Sequence, residues 1–487
     1  MLKTRYIVYT ALALLGVSFL GYFYGTVNSV GFVFFGLLGL ILGLWRREYL
    51  IYLLYLELTL GSFGYLLSFS TDGLNLPLRI LLFLIIMSLW FFDMFRLIVS
   101  AKIEVLSSKS LFKNKILVIK EMSPKVKQLT LSFIIFILLW ILGIVHGYLR
   151  GAFPSNIFFD ANSYLYLLLI LPIVNYINTK EKFNQLIKVI IIGSSLLALE
   201  TFALFIIFIK VDNLSILELI YKWIRDFRIG EITSLKNGAY RIFIQSQIYL
   251  LVGLFLILVL DFYKKISFRK YLFYLIILAG ALYISLSRSF WVGFFAGFFI
   301  LILILFYKKE SFKSILRFVI KSVAIIFASI LLISLFIPKN SSLIGNRLKI
   351  GESALNSRIS QLEPLLPAIK NSPLIGYGFG KTLTFKSFDP RVSAVLKTGE
   401  YTTYAFEWGY LDIVLKMGVI GLFSFLYFIF TIIYLLFKKM QSGDIYSVWG
   451  LTIVFVLLSI HMFTPYLNHP LGIGMLIIGA LVGIRRE

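Results

Sequence analysis

The 487-residue chain contains no cysteine. That excludes disulfides, iron–sulfur clusters and thiolate zinc sites. It has three histidines, His146, His461 and His469, too scattered in sequence to suggest a metal cluster, so no metal and no cofactor is expected. Charge is scarce as well. Asp, Glu, Lys and Arg make up 14% of the chain, against about 25% in an ordinary soluble protein. With 60% hydrophobic residues, both a soluble globule and a disordered chain are excluded. Also missing are the roughly 10-residue segments of alternating polarity that mark an outer-membrane β-barrel.

What is present is a series of long apolar runs. Roughly 290 apolar residues would supply about fourteen helices of about 20 residues each. Runs bounded by charges or turn residues predict spans near 6–24, 29–45, 49–68, 77–97, 128–148, 161–178, 187–209, 242–261, 271–287, 290–307, 317–337, 408–437, 446–463 and 471–484. The fold class is therefore all-α: a polytopic membrane bundle of about fourteen transmembrane helices, read as one integral membrane domain over 1–487. The twelfth run is too long for one straight span and is expected to start as a helix above the membrane. The N-terminal run lacks a small-residue cleavage site and reads as a retained first span.

A net charge of +24 would suggest nucleic acid in a soluble protein. Here it follows from basic cytoplasmic loops, and no nucleic acid is expected. With both termini in the cytoplasm, 28 of the 47 Lys and Arg fall inside. Fifteen of the remainder lie in two long outer loops, near 210–241 and 338–406, and long loops follow the charge rule poorly. The predicted location is the cytoplasmic (inner) membrane, multi-pass, with one long extracytoplasmic loop, 338–406.

The outer side carries arginines at membrane borders: Arg150, Arg225, Arg228, Arg241, Arg288, Arg347 and Arg358. Arg288 sits in a tight turn between two spans, in ISLSRSFWVG. A charge there meets either a ligand or a lipid headgroup to which it snorkels. In the long loop, Leu355, Ile359, Leu362, Leu366 and Ile369 recur near helical spacing, which predicts an interfacial segment broken by Pro364 and Pro367. Gly376, Gly378 and Gly380 then give a turn that lets backbone approach a ligand. No βαβ unit surrounds them, so a dinucleotide site is excluded. Glu407 stands at the start of the twelfth helix, on a face with Tyr410 and Val414. A favourable contact with the helix dipole is its alternative role.

SRSFWVG (287–293), SR…PLIGYGFG (357–380) and EWGYL…LKMGVIGL (407–422) resemble, in order and spacing, the signatures of the O-antigen ligase/O-antigen polymerase superfamily. The likeness covers about 240–440; the N-terminal half agrees only in hydropathy and span count. The resemblance implies a GT-C-type glycosyltransferase. Its donor would be a polyprenyl-diphosphate-linked glycan, passed to an acceptor hydroxyl at the outer face of the cytoplasmic membrane. The acceptor would be lipid A–core in a ligase and another lipid-linked glycan unit in a polymerase. By the same resemblance Arg288, Arg358 and Arg241 would bind the diphosphate, with Arg347 in reserve. Guanidinium groups suit that work because they stay charged and grip phosphate oxygens in pairs, which can take the place of a metal.

The ligases carry a His-Asn pair where this chain has Glu407-Trp408, and that histidine is read as the base. Glu407 would take the role here in a one-step inverting transfer. The substitution favours polymerase over ligase. Tyr410, Gly376, Gly378 and Gly380 are further expected substrate contacts. The alternative is a lipid-linked oligosaccharide flippase, for which the intramembrane acids Glu57 and Glu200 would matter. Asp93 and Arg96, three apart, are expected to pair.

Overall fold

The computed structural model describes residues 3–71, 74–107, 124–235, 238–337, 353–388, 392, 396 and 398–485. It is a bundle of apolar helices, as expected. Eleven helices among the described residues are long and apolar enough to cross a membrane, from Thr4–Phe23 to Gly409–Gln441. The other three predicted segments are shorter helices: Arg47–Leu60, Ile445–His461 and Pro470–Ile484. Their shortness has a packing correlate. Every residue from Leu50 to Leu60 is buried, and so is every residue from Leu471 to Gly483. A helix that is apolar all round belongs inside other helices, and these segments lie largely inside the bundle, as does Ile248–Phe262, buried at every position from Ile248 to Val259.

Several boundaries move for local reasons. The segment expected at 161–178 begins at Pro154, because proline suits the first helical turn, and it runs through a 3₁₀ stretch at Asn162–Leu169. The segment expected at 187–209 begins at Lys180, where the Thr179 side chain accepts the Lys182 N–H. Its charged first turn hid the start. The segment expected at 49–68 stops at Leu60 and gives way to a hairpin, Ser68–Thr71 with Leu74–Pro77.

Two more hairpins pair Gly230–Ser234 with Tyr240–Ile244, and Leu383–Lys386 with Glu400–Thr403. Counting crossings, all three hairpins lie in connections at the same end of the bundle. That end is the one the charge pattern assigns to the outside. The hairpin residue Arg241, opposite Thr233, is thereby held at this end.

Two ion pairs correct or complete the sequence reading. Asp93 does not take Arg96 as its partner. Arg47 holds it with Nε and Nη2, at 2.8 and 2.9 Å, and Tyr176 donates a third bond at 2.7 Å. A neighbouring helix presents a planar fork that a side chain three residues away does not match. Glu57 pairs with Arg79, Nε to Oε2 at 2.8 Å and Nη2 to Oε1 at 3.1 Å, with both side chains buried. Both Glu200 carboxyl oxygens are buried without a hydrogen bond in the structure.

Candidate active site at the outer end

The site is built on a turn of minimal length. Helix Phe268–Ser285 ends at Leu286, whose φ is 46°. Ser287 follows, and Arg288 opens the next helix, Arg288–Tyr307. A bulky residue in the left-handed region is a strained conformation, and such strain gathers at functional sites. The turn is held by the Ser287 N–H donating to Ser285 Oγ at 3.3 Å, and by a 3.1 Å contact between the Ser287 and Ser289 hydroxyls. Its product is an arginine on the first turn of a helix. The backbone N–H groups there point outward and the dipole favours an anion. Arg241 is fastened to the same turn. Its Nε donates to the Ser285 carbonyl at 2.8 Å, and its guanidinium carbon lies 4.7 Å from the centre of the Phe243 ring.

The second half of the site joins two segments of the long loop. Helix Ser353–Asn371 is continuous through Pro364 and Pro367, so the expected break does not occur. Packing holds it. Leu365 and Ala368 bury against Phe406 and Leu415 in a small core separate from the main one, while Ile359 and Leu366 stay exposed. This core brings Arg358 to Glu407, and the two form an ion pair. The Trp408 indole donates to the Arg358 carbonyl at 2.8 Å, and the Glu407 N–H donates to Gln361 Oε1 at 3.0 Å. Glu407 itself precedes the helix, which starts at Gly409. Arg288 is half-buried and close enough to Arg358 for the two positive charges to repel. Arg241, Arg288, Arg358 and Glu407 thus gather at the outer end of the bundle. Arg347 lies outside the described residues.

The glycine segment has a different neighbourhood from the one the sequence suggested. Helix Gly409–Gln441 is interrupted at Gly418, with φ 67° and ψ −174°. Into that gap goes the 373–380 backbone. Tyr377 and Gly378 donate to the carbonyls of Leu415 and Lys416 at 2.8 Å each, and Val419 donates to Pro373 at 2.8 Å. Phe379 donates to Gly143 at 3.1 Å, and Gly380 to Asp160 Oδ2 at 2.9 Å. Irregular backbone within a membrane bundle survives only where protein satisfies its polar groups. Two glycines are required by contact. A Cβ on Gly378 would stand 2.0 Å from the Gly147 nitrogen, and one on Gly418 would stand 2.0 Å from the Leu374 oxygen. The N–H groups of Gly378 and Gly380 are spent on protein partners, and Gly376 donates to Ser372. Tyr410, half-buried, donates its hydroxyl to the Leu458 carbonyl at 2.8 Å and sets its ring edge-on to His461.

Sequence reasoning missed the charged cluster behind this segment. Lys416 bridges Asp160 and Asp412, all three side chains buried. Asn468 donates to Asp412 at 3.0 Å, and Tyr164 donates to Asn468 at 2.6 Å. The Asp412–Lys416 spacing of four was legible on one helix face. Asp160 arrives from a segment 256 residues away in sequence, which no local pattern reports. Because Asp160 also accepts the Gly380 N–H, the cluster anchors the glycine segment and, through it, the start of the helix that follows Glu407.

Residues 273–426 match a family model described as O-antigen ligase. No curated protein matches the chain. The matched segment contains Arg288, Arg358, the glycine turn, Glu407 and Lys416, so the strained turn, the inserted loop and the broken helix all fall inside it. This segment of a multi-pass helical membrane protein is thus similar to the O-antigen ligase family.

Proposed function

We propose that the protein transfers a polyprenyl-diphosphate-linked glycan to an acceptor hydroxyl at the outer face of the cytoplasmic membrane, and that it acts as a surface-polysaccharide polymerase rather than a ligase. The observation that carries this reading is the convergence of Arg288 and Arg358 at one mouth, with Glu407 paired to Arg358. Two guanidinium groups held close together repel each other, and an anion of two or three charges between them relieves the repulsion. A lipid diphosphate is such an anion, and it reaches the site along the bilayer.

In this reading the resting ion pair is also a latch. The diphosphate draws Arg358 off Glu407 because it offers more negative charge and more acceptor oxygens. The freed carboxylate then takes the proton of the acceptor hydroxyl. The hydroxyl oxygen attacks the anomeric carbon from the face opposite the diphosphate. The bond from that carbon to the diphosphate oxygen breaks, and its electron pair stays on the diphosphate, where Arg288, Arg358 and Arg241 stabilise it. Configuration inverts in one step. The glutamate in place of histidine at 407 favours polymerase here.

The test is a glycan profile from cells lacking the protein, with surface and lipid-linked pools resolved side by side. Single-unit caps without a long ladder support the polymerase. Full-length polymer stranded on the lipid carrier beside an uncapped acceptor would mean a ligase. Purified protein that moves donor across a bilayer without making a glycosidic bond would mean a flippase and sink the proposal.

A further inference from the structure

Helices Pro124–Leu149 and Gly409–Gln441 enclose a groove of 260 Å³ beside the gap at Gly418. Its walls include Leu139, Leu142, Leu149, Ile375 and Ile420. The last four are exposed, so in a membrane-spanning bundle the groove opens sideways to lipid. From Leu149 down to Leu139 it follows the helix for about 15 Å at 1.5 Å per residue, half of the roughly 30 Å hydrocarbon core. One polar side chain joins this wall. His146 lines the groove, and its Nε2 is buried without a hydrogen-bond partner. Such an atom is costly to leave unpaired, and a ligand in the groove can supply what it lacks.

The outer end of the groove is cationic. Arg150 follows Leu149 directly, and its guanidinium carbon lies 5.0 Å from the centre of the Tyr377 ring. Lys381 Nζ lies 4.9 Å from the same centre. Tyr377 is two residues beyond Ile375 and is fixed by its N–H bond to the Leu415 carbonyl at 2.8 Å. Neither cation has a carboxylate partner among the described residues. Asp160, which accepts the Gly380 N–H beside Lys381, is already bridged to Lys416. Both cations rest on one ring, so they stand close enough to repel, and an anion of several charges relieves that repulsion. A cationic border above an apolar groove matches a lipid with a phosphate head and a hydrocarbon tail.

We propose that this groove holds the acceptor glycan while it is still lipid-linked, its diphosphate at Arg150 and Lys381 and its isoprenoid tail along the apolar wall. The assignment rests on the polymerase reading above. Position separates the acceptor from the donor. The donor's diphosphate is bonded to the carbon under attack, so it belongs beside Arg288 and Arg358. The acceptor offers a hydroxyl of its glycan, and its own diphosphate stands off from Glu407 by the length of glycan between. Tyr377 meets that requirement. It is anchored at Leu415, about 9 Å down the helix from the start at Gly409, and Glu407 precedes that start. An ordinary anionic phospholipid shares the head-and-tail chemistry, and the experiment separates the two.

The experiment is native mass spectrometry of the delipidated full-length protein with undecaprenyl diphosphate, which counts bound lipids. Two per chain are expected. The variant Arg150→Gln, Lys381→Gln should bind the second lipid more weakly, by about fivefold per cation removed, and keep the first. The variant Arg288→Gln, Arg358→Gln should lose the first and keep the second. Ile420→Trp fills the groove from an exposed position. It should weaken the second lipid with both cations in place, and it serves as the test if the Arg150, Lys381 variant does not fold. Lys210→Gln, Lys222→Gln, which removes two exposed cations outside the groove, should still bind two. A single lipid on the unaltered protein, an unchanged count in the Arg150, Lys381 variant, or displacement of the second lipid by phosphatidylglycerol at equal concentration would each overturn the proposal and leave the polymerase reading standing. The glycan profile decides that reading separately. Polymer stranded on the lipid carrier there would overturn the acceptor assignment even with two lipids bound.

Discussion

Two glutamate–arginine pairs in this protein use the same groups for different ends. In Glu57–Arg79 the side chains are 0% and 2% exposed, and the arginine also donates to the Ser62 carbonyl at 2.8 Å. In Arg358–Glu407 the side chains are 26% and 44% exposed. The first pair has no way to part without stranding a charge in a medium that does not solvate it. The second stands in the mouth of the bundle, where an arriving anion or water can take over either partner at little cost. Burial, rather than residue type, separates a structural clamp from a group able to do chemistry. The clamp also accounts for one intramembrane acid on which a transport reading would have leaned.

The comparison can be broken by substitution. The largest effect is expected at the clamp. Glu57→Leu or Arg79→Leu alone should cost about 3–5 kcal/mol by leaving one buried charge unpaired, seen as loss of monodisperse protein in detergent. The double variant should recover most of that stability, because neither charge remains. Next is Glu407→Gln, which should leave the thermal transition nearly in place while slowing glycan transfer by about 100-fold or more. Full activity in a folded Glu407→Gln protein would remove Glu407 as the base. Arg358→Lys keeps the charge but loses the fork, and transfer should slow by about tenfold. An unchanged rate would mean that only charge matters at 358. The smallest effect is expected at Tyr410→Phe, which removes one hydrogen bond to Leu458. It should lower stability by about 1 kcal/mol with little change in rate. A large rate loss there would move Tyr410 from a packing role into substrate contact.

Much of the bundle was legible because a membrane span must be long and apolar, and such a run has few other uses. The short helices were legible by hydropathy, two of them at nearly their observed lengths, but the stop of the third at Leu60 was not, because burial inside protein relaxes the need to match the bilayer. The continuous helix through Pro364 and Pro367 was not legible either. Proline weakens a helix locally, but the small core around Leu365 and Phe406 outweighs that preference. At the site, Arg288 and Arg358 stood out as charges at membrane borders. The glycines stood out too, but a glycine signals close approach without saying to what. The approach is to Gly147 and to the gap at Gly418.

The amino-acid sequence by itself determined that this is a polytopic helical membrane protein, which end of each helix carries positive charge, and which motifs resemble a known family. Those properties are local, set by residue type and spacing along one chain. Only the tertiary structure decided that Arg358 meets Glu407, that Arg79 neutralises Glu57, and that Asp160 reaches Lys416. Each of these joins segments distant in sequence, and the free energy of such a contact depends on burial and geometry that exist only once the helices have packed.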